Sequence, residues 1–328
     1  MTHLLEVRDL VTEFRSDTGT LQVLDRVSFT VDRGEILGIA GESGCGKSVT
    51  GLTVMGLLPP SGRLVSGSVV FDGVELTGLT EKELDRIRGK DLTMVFQDAL
   101  ASLNPVFTVG SQMTETIRAH TSLRGDEAKA RAEEMLRKAG IPDPPTAMKK
   151  YPHTLSGGMR QRVMIAMALC CGAKLVIADE PTTALDVTVQ AQIIKLLRDL
   201  RDSNGTAVVL VSHDLGLLAQ SADRILVMYA GQVVESAPVR QLVMNPLHPY
   251  TKALMAAVPD ISDSKDRVLE SIPGSVPGDY GALTGCRFAA RCPYATKACT
   301  AAQELTPAGA DSHLVRCCRA PGKGDVPV

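Results

Sequence analysis

A chain of 328 residues with 44% apolar side chains can bury a sizeable core and is long enough for one large domain plus a smaller appendage. The formal net charge is −2 and no block of Lys or Arg stands out, so a polyanion partner gets no support. Trp is absent and aromatic residues make up 3%, which argues against a base-stacking platform and leaves nucleic acid out of the expected partners.

The first residues carry Glu6, Arg8 and Asp9 where a secretory signal needs an apolar run. Residues 4–14 and 21–31 alternate apolar and polar side chains and predict two strands joined by a turn at Ser16-Asp17-Thr18-Gly19. Residues 35–40 predict a buried strand that runs into glycines. A helix follows from Lys47 to about Leu57 and is expected to stop at Pro59-Pro60. Residues 69–71 read as a further strand, Thr80-Glu-Lys-Glu83 as a capping box, and 92–96 as another buried strand. Helical spacing then covers 109–120, 126–139 and 157–171, a helical insertion in an α/β domain.

Beyond it strands and helices alternate: 175–178, helix 188–203, 206–211, helix 214–220 and 224–229. That order predicts a mostly parallel sheet covered by helices. The most apolar window, 163–178, contains Lys174 and is flanked by Arg162 and Asp179. It is too short and too charged to span a bilayer, so the chain is expected to be soluble and to meet a membrane through a partner. From about Pro259 the composition shifts to Pro, Gly, Ser and Asp and predicts a linker before a cysteine-bearing tail. The expected division is residues 1–258 as one domain, with a helical part at about 98–162, and 259–328 as an extension.

Three runs carry chemistry. Gly41-Glu-Ser-Gly-Cys-Gly-Lys-Ser48 matches G-x-x-x-x-G-K-S/T between a predicted strand and a predicted helix. Gly41, Ser43, Gly44, Cys45, Gly46, Lys47, Ser48 and Val49 are then the phosphate-binding residues. Their main-chain N–H groups turn inward, and the helix N-terminus adds positive potential. Lys47 can reach the β- and γ-phosphates, Ser48 can offer its hydroxyl to Mg2+, and Cys45 reads as a small filler. Leu175-Val-Ile-Ala-Asp179-Glu180 is an apolar strand ending in two acids. Asp179 is expected to help hold Mg2+ and Glu180 to polarise or deprotonate the attacking water. In Leu155-Ser-Gly-Gly-Met-Arg-Gln-Arg162, Ser156 is a good N-cap and Gly157 and Gly158 leave the backbone bare at a helix start, a ready anion site.

This last run resembles the signature of the ABC transporter ATPases, and the resemblance extends over nearly the whole chain. It implies a P-loop NTPase, an ABC nucleotide-binding domain of class α/β. The expected parts are a RecA-like core, an N-terminal antiparallel β-subdomain, a helical subdomain and a small Cys-rich C-terminal extension. ATP and Mg2+ are the implied substrate and cofactor, with Mg2+ held by Ser48, Gln97 and Asp179. Two such domains sandwich two ATP molecules, so Ser156, Gly157, Gly158 and Gln161 are expected to contact the nucleotide of the partner. Gln97 resembles the Q-loop glutamine, Asp186 the D-loop acid and His213 the switch histidine. The catalytic set is thus Lys47, Gln97, Glu180 and His213, and Phe14 stands where the family places an adenine-stacking aromatic.

Gly41-Glu-Ser-Gly with Ser48-Val-Thr, Ala178 through Gln192, and Asn245-Pro-Leu-His-Pro-Tyr-Thr251 narrow the resemblance to the peptide and nickel importer group. Met55-Gly-Leu-Leu-Pro59 is similar to its D-type subunit. The implied partners are an F-type second ATPase, two membrane permeases and an extracytoplasmic solute-binding protein. The implied place is the cytoplasmic face of the plasma membrane. Cys171-Gly172 departs from the group, where Asn-Pro is common.

Of eight cysteines, five cluster in the tail. Cys286, Cys292, Cys299 and Cys317 offer four thiols that suit either a 4Fe–4S cluster or tetrahedral Zn2+, and their spacings, wider than the C-x2-C of most zinc sites, mildly favour the cluster. The surrounding runs resemble an extension that carries a 4Fe–4S cluster in relatives. Cys318 is a possible substitute for Cys317, and Cys170 and Cys171 read as core.

Overall fold

The computed structural model describes residues 3–17, 19–97, 102–183, 185–258 and 272–320. In chain order its regular elements begin with β1 (Leu5–Ser16), β2 (Gly19–Val31), β3 (Ile36–Ala40), α1 (Lys47–Met55), β4 (Gly62–Phe71), β5 (Val74–Glu75), α2 (Glu81–Leu84) and β6 (Leu92–Val95). The helical stretch follows: α3 (Val109–His120), α4 (Gly125–Lys138), α5 (Pro144–Met148) and α6 (Gly157–Leu169). Then come β7 (Leu175–Asp179), α7 (Val187–Asn204), β8 (Ala207–Val211), α8 (Leu215–Ser221), β9 (Arg224–Tyr229), β10 (Gln232–Pro238), α9 (Val239–Met244) and α10 (Pro249–Ala256), with β11 (Thr306–Ala308) and β12 (Ala310–Val315) last. The chain groups into two units interleaved along the sequence. One holds Met1–Leu4, Val31–Ile36 and Gly78–Val211, and the other Leu5–Thr30, Leu37–Thr77 and Ser212–Val328.

The first unit is built on the parallel strands β6, β7 and β8, with β7 in the middle. Every residue of the three strands is buried. Strands covered on both faces have no polar face to offer, which is why they read as nearly continuous apolar runs, with Thr93 in β6 and the terminal Asp179 of β7 as the exceptions. Helices α3, α4, α5 and α6 pack together over Met113, Ile117, Ala128, Ala132, Met135 and Met148. A Cβ at Gly110 would lie 2.7 Å from the Met148 carbonyl oxygen, so this glycine sets how closely α3 approaches α5. The capping box at Thr80 and Glu83 forms as expected. Asp143, Ser156 and Asp186 cap α5, α6 and α7 through their side chains.

The second unit contains the antiparallel sheet β2-β1-β4-β5 and a run of strands in the order β3-β9-β10-β12-β11. β4 pairs with β1 from Phe14↔Gly62 to Leu5↔Phe71, so it starts seven residues before the expected strand. Its register shifts opposite Gly67, whose φ is +111° and whose Cβ would meet the Arg8 carbonyl at 2.7 Å. Only glycine fits such a bulge. The β9–β10 hairpin turns through Ala230 and Gly231, both at positive φ, the two-residue turn that matches strand twist.

Three features depart from the sequence expectation. α1 ends at Gly56, a left-handed C-cap at φ +63°, before the prolines are reached. β10, α9 and α10 were not expected as elements. The tail carries the β11–β12 hairpin, which joins β10 through Glu235↔Val315 and Ser236↔Leu314. The expected linker from Pro259 lies outside the described residues up to 271.

Candidate functional site

The phosphate loop is shaped by glycines. Gly41, Gly44 and Gly46 have φ of +149°, +80° and +104°, and a Cβ on Gly41 would stand 2.3 Å from the Met228 carbonyl oxygen. Cys45 is fully buried, its thiol pushed up first by burial, which agrees with a filler. Its carbonyl accepts the Gly231 N–H at 2.9 Å, so the β9–β10 turn braces the loop from behind. Lys47 Nζ is buried and donates to the carbonyls of Gly41 at 2.7 Å and Glu42 at 3.0 Å. The ammonium is therefore held inside the loop, where phosphate oxygens can replace those carbonyls. Ser43 and Gly44 face solvent, and Ser48 and Val49 open α1 half-buried.

His213 is exposed. Its neighbour Ser212 donates its N–H to the Ile39 carbonyl at 3.1 Å, which sets His213 beside the strand that enters the phosphate loop. Phe14 is half-buried, and a Cβ on Gly62 would lie 3.0 Å from its ring, so the ring lies on bare backbone.

In the other unit, β7 delivers Asp179 buried and Glu180 half-buried. Glu180 has φ +45°, a conformation L residues adopt at a cost on the order of 1–3 kcal/mol and one found at functional sites. Its Oε2 accepts Nε2 of Gln97 at 3.1 Å and Oγ1 of Thr183 at 2.8 Å, so two neighbours aim the carboxylate. The structure thus brings together two of the expected catalytic residues, Gln97 and Glu180. Thr183 joins them, a partner that sequence reasoning missed.

Ser156 accepts the Met159 N–H at 3.4 Å, and Ser156 and Gly157 are exposed at the start of α6. Gly158 is half-buried. Gln161, expected to contact a partner's nucleotide, has its amide engaged within its own chain. It is buried, and its Nε2 donates to the Pro181 carbonyl at 2.8 Å, tying α6 to the residue after Glu180. Asp186 is the N-cap of α7, accepting from Val189 at 2.9 Å.

The tail belongs to the second unit and is held within it by polar contacts the sequence does not reveal. Glu235 is fully buried and accepts three donors: Leu247 N at 2.8 Å, His248 N at 2.8 Å and His313 Nε2 at 2.7 Å. Arg287 Nη2 pairs with Asp25 at 2.7 Å. Arg291 holds both carboxylate oxygens of Glu42, 249 positions away.

Among the described residues, no three or more His, Cys, Asp or Glu side chains stand ready to hold a metal ion, so the expected four-thiolate cage is not preformed. The thiols are nonetheless neighbours. Cys286 N donates to the Cys299 carbonyl at 2.8 Å, an approach that Gly285 permits because a Cβ there would meet that oxygen at 2.3 Å. Cys286 is pushed up to about 11, first by burial and then by the thiolate charges of Cys299, Cys317 and Cys292. Cys318, not Cys317, approaches Cys299, with sulfurs 3.7 Å apart. Cys317 is buried beside Ala308, Val315 and Ala320. Cys170 is buried and Cys171 half-buried.

Comparison with known proteins adds to this geometry. A family model described as "ABC transporter" matches residues 24–183, and one described as "Oligopeptide/dipeptide transporter, C-terminal region" matches residues 234–299. The chain is 47% identical over 314 residues to the dipeptide transport ATP-binding protein DppD of Escherichia coli (strain K12), covering 96% of each. It is 46% identical over 318 residues to the oligopeptide transport ATP-binding protein AppD of Bacillus subtilis (strain 168), covering 97% of each. A solved dimeric ATP-binding cassette, in a post-hydrolysis state with ADP and Pi, matches 72% of this chain and 99% of its own at 28% identity and a TM-score of 0.66.

Proposed function

The chain belongs to the ABC transporter ATPase family, and from that premise we propose that it is the ATP-hydrolysing subunit that energises uptake of dipeptides or oligopeptides. The observation that carries the cargo class is the match of residues 234–299 to the oligopeptide/dipeptide transporter C-terminal region, on the same chain as an intact phosphate loop.

The loop amides between Gly41 and Ser48 bind the triphosphate, and Lys47 exchanges its two carbonyl contacts for phosphate oxygens. Ser48, Asp179 and Gln97 would hold Mg2+, which supplies charge neutralisation at the β- and γ-phosphates. Glu180, aimed by Gln97 and Thr183, orients the attacking water and accepts its proton at a carboxylate oxygen. His213 contacts the γ-phosphate. Ser156, Gly157 and Gly158 present the start of α6 to the nucleotide of a second ATPase subunit, with Asp186 at the same junction.

The partners of this reading are an F-type ATPase, two permeases and an extracytoplasmic binding protein, and the chain sits peripherally on the cytoplasmic face of the plasma membrane. Among the described residues no helix is long and apolar enough to cross a membrane. Cys286, Cys292, Cys299 and Cys317, with Cys318 as a possible substitute for Cys317, would hold a 4Fe–4S cluster, with Zn2+ as the alternative. The support for this is the thiol donor set and the resemblance, and no catalytic step is assigned to the group. Metal and sulfide analysis of anaerobically purified protein decides between them.

The function is tested by assembling the chain with its permeases, second ATPase and binding protein in proteoliposomes. ATP-dependent uptake of labelled dipeptide is the expected result. Peptide-independent ATPase activity with uptake of nickel instead would move the chain to the neighbouring cargo class.

A further inference from the structure

Glu42 is the second residue of the phosphate loop, at a position where the motif asks for no particular side chain. A carboxylate beside a site that takes a triphosphate repels its ligand unless it is neutralised. The C-terminal segment supplies the neutralising group. Arg291 Nη1 donates to Glu42 Oε2 at 2.6 Å and Nη2 to Oε1 at 2.9 Å, a two-pronged ion pair. The Arg291 side chain is 7% exposed.

Arg291 is itself fixed from several sides. Its Nε donates to the Pro273 carbonyl at 2.7 Å, and Nη2 reaches the carbonyls of Ile272 at 3.4 Å and Gly274 at 3.3 Å. Nη1 donates to the Tyr229 hydroxyl at 3.3 Å, and the guanidinium lies over the rings of Tyr229 and Phe288. Glu42 is held at its other polar groups too. Its N–H donates to the Tyr250 hydroxyl at 2.8 Å, and its carbonyl accepts Lys47 Nζ at 3.0 Å. A second contact runs from the tail to the same loop, where the Tyr280 hydroxyl shares its proton between the Val23 carbonyl at 3.2 Å and the Gly44 carbonyl at 3.4 Å.

We propose that Arg291 is a positioning residue for ATP binding: it neutralises Glu42 and keeps the phosphate loop in the form that accepts a triphosphate. The inference rests on the ATPase reading above. It makes the tail a part of the nucleotide site, because Arg291 belongs to the C-terminal segment and grips a carboxylate of the phosphate loop.

The test is equilibrium binding of a fluorescent ATP analogue with Mg2+ to the full chain, alongside thermal melting. The variants are Arg291→Gln, Arg291→Lys, Arg291→Gln with Glu42→Gln, and Arg291→Lys with Glu42→Gln. Arg291→Gln is expected to weaken the triphosphate by about 10-fold, as for loss of one partner of a half-buried charge pair, and to leave adenosine binding within about twofold. Arg291→Lys is expected to recover to within about threefold of wild type, because it keeps the charge and loses the fork. The double variant Arg291→Gln/Glu42→Gln is expected to recover similarly, because the unneutralised carboxylate is gone.

A residue that merely pins the tail would show no rescue by Glu42→Gln, and that result overturns the inference. Unchanged triphosphate binding in Arg291→Gln overturns it equally. If Arg291→Gln does not fold, the lysine pair decides: Arg291→Lys must bind more weakly than wild type, and Glu42→Gln must restore it. Wild-type protein that ignores nucleotide overturns the ATPase reading and this inference with it. Wild-type binding without any effect of Arg291 overturns this inference alone.

Discussion

Replacing Glu235 by Ala strips the acceptor from three donors at once: the main-chain N–H groups of Leu247 and His248 and the His313 imidazole. The site is fully buried, so water does not reach these donors without local opening. An unsatisfied buried donor costs about 1–3 kcal/mol, and three of them give a range of about 3–9 kcal/mol. Partial rehydration of the vacated space pulls the expectation toward the lower half, about 4 kcal/mol. At roughly 2–4 °C per kcal/mol for a chain of a few hundred residues, Tm should fall by about 10 °C. Glu235→Gln keeps one acceptor oxygen and turns an amide donor toward another donor, so it should fall about half as far.

The assay is calorimetric or circular-dichroism melting of wild type, Glu235→Ala, His313→Ala and the double variant. The two single changes share a hydrogen bond and should be less than additive by about 1–2 kcal/mol. Amide exchange should rise in the β11–β12 hairpin, because His313 lies on β12. A Glu235→Ala protein melting within about 2 °C of wild type would refute the account of how the tail is held.

Further outcomes follow from the same geometry. Lys47→Ala removes the buried ammonium from the loop and should weaken ATP binding by roughly 100-fold or more, read by nucleotide titration. Glu180→Gln should lower kcat of the assembled complex by about 10²–10⁴-fold while ATP still binds; full turnover would remove Glu180 from the role of base. His248 is held neutral, its pKa pushed down to about 3, first by burial and then by the charge of Arg316, and its Nδ1 accepts the Tyr250 N–H. The unfolded chain takes up a proton near pH 6.5 that the folded chain refuses until about 3. This contribution is therefore fully present above 6.5 and lost as pH falls from 6.5 toward 3, at about 1.4 kcal/mol per pH unit. His248→Gln should flatten the stability-versus-pH slope in that window, and an unchanged slope in urea titrations would contradict it.

The parts legible in the sequence are those whose physics is local. The left-handed glycines, Lys47 and Ser48 lie within eight residues, so the phosphate loop announces itself. Strand β7 is apolar from Leu175 to Ala178 because a parallel strand is covered on both faces, and its end places Asp179 and Glu180. Thr80, Ser156 and Asp186 cap helices with side chains that reach only three residues ahead, which a reader of the sequence can follow.

Tertiary structure decided what depends on chain segments meeting from afar. Gln161 faces inward onto Pro181, which the signature run alone does not say. Glu235 sits within a strand buried almost throughout, and its burial makes sense only once Leu247, His248 and His313 arrive. Cys318 meets Cys299 sulfur to sulfur at 3.7 Å, while the adjacent Cys317 packs with Ala308, Val315 and Ala320. Arg291 finds Glu42 across 249 positions. Periodicity and motif report which face of an element is apolar and which backbone turns are allowed. They carry no information on which distant donor a buried acceptor will meet, since that is settled by the packing of whole elements.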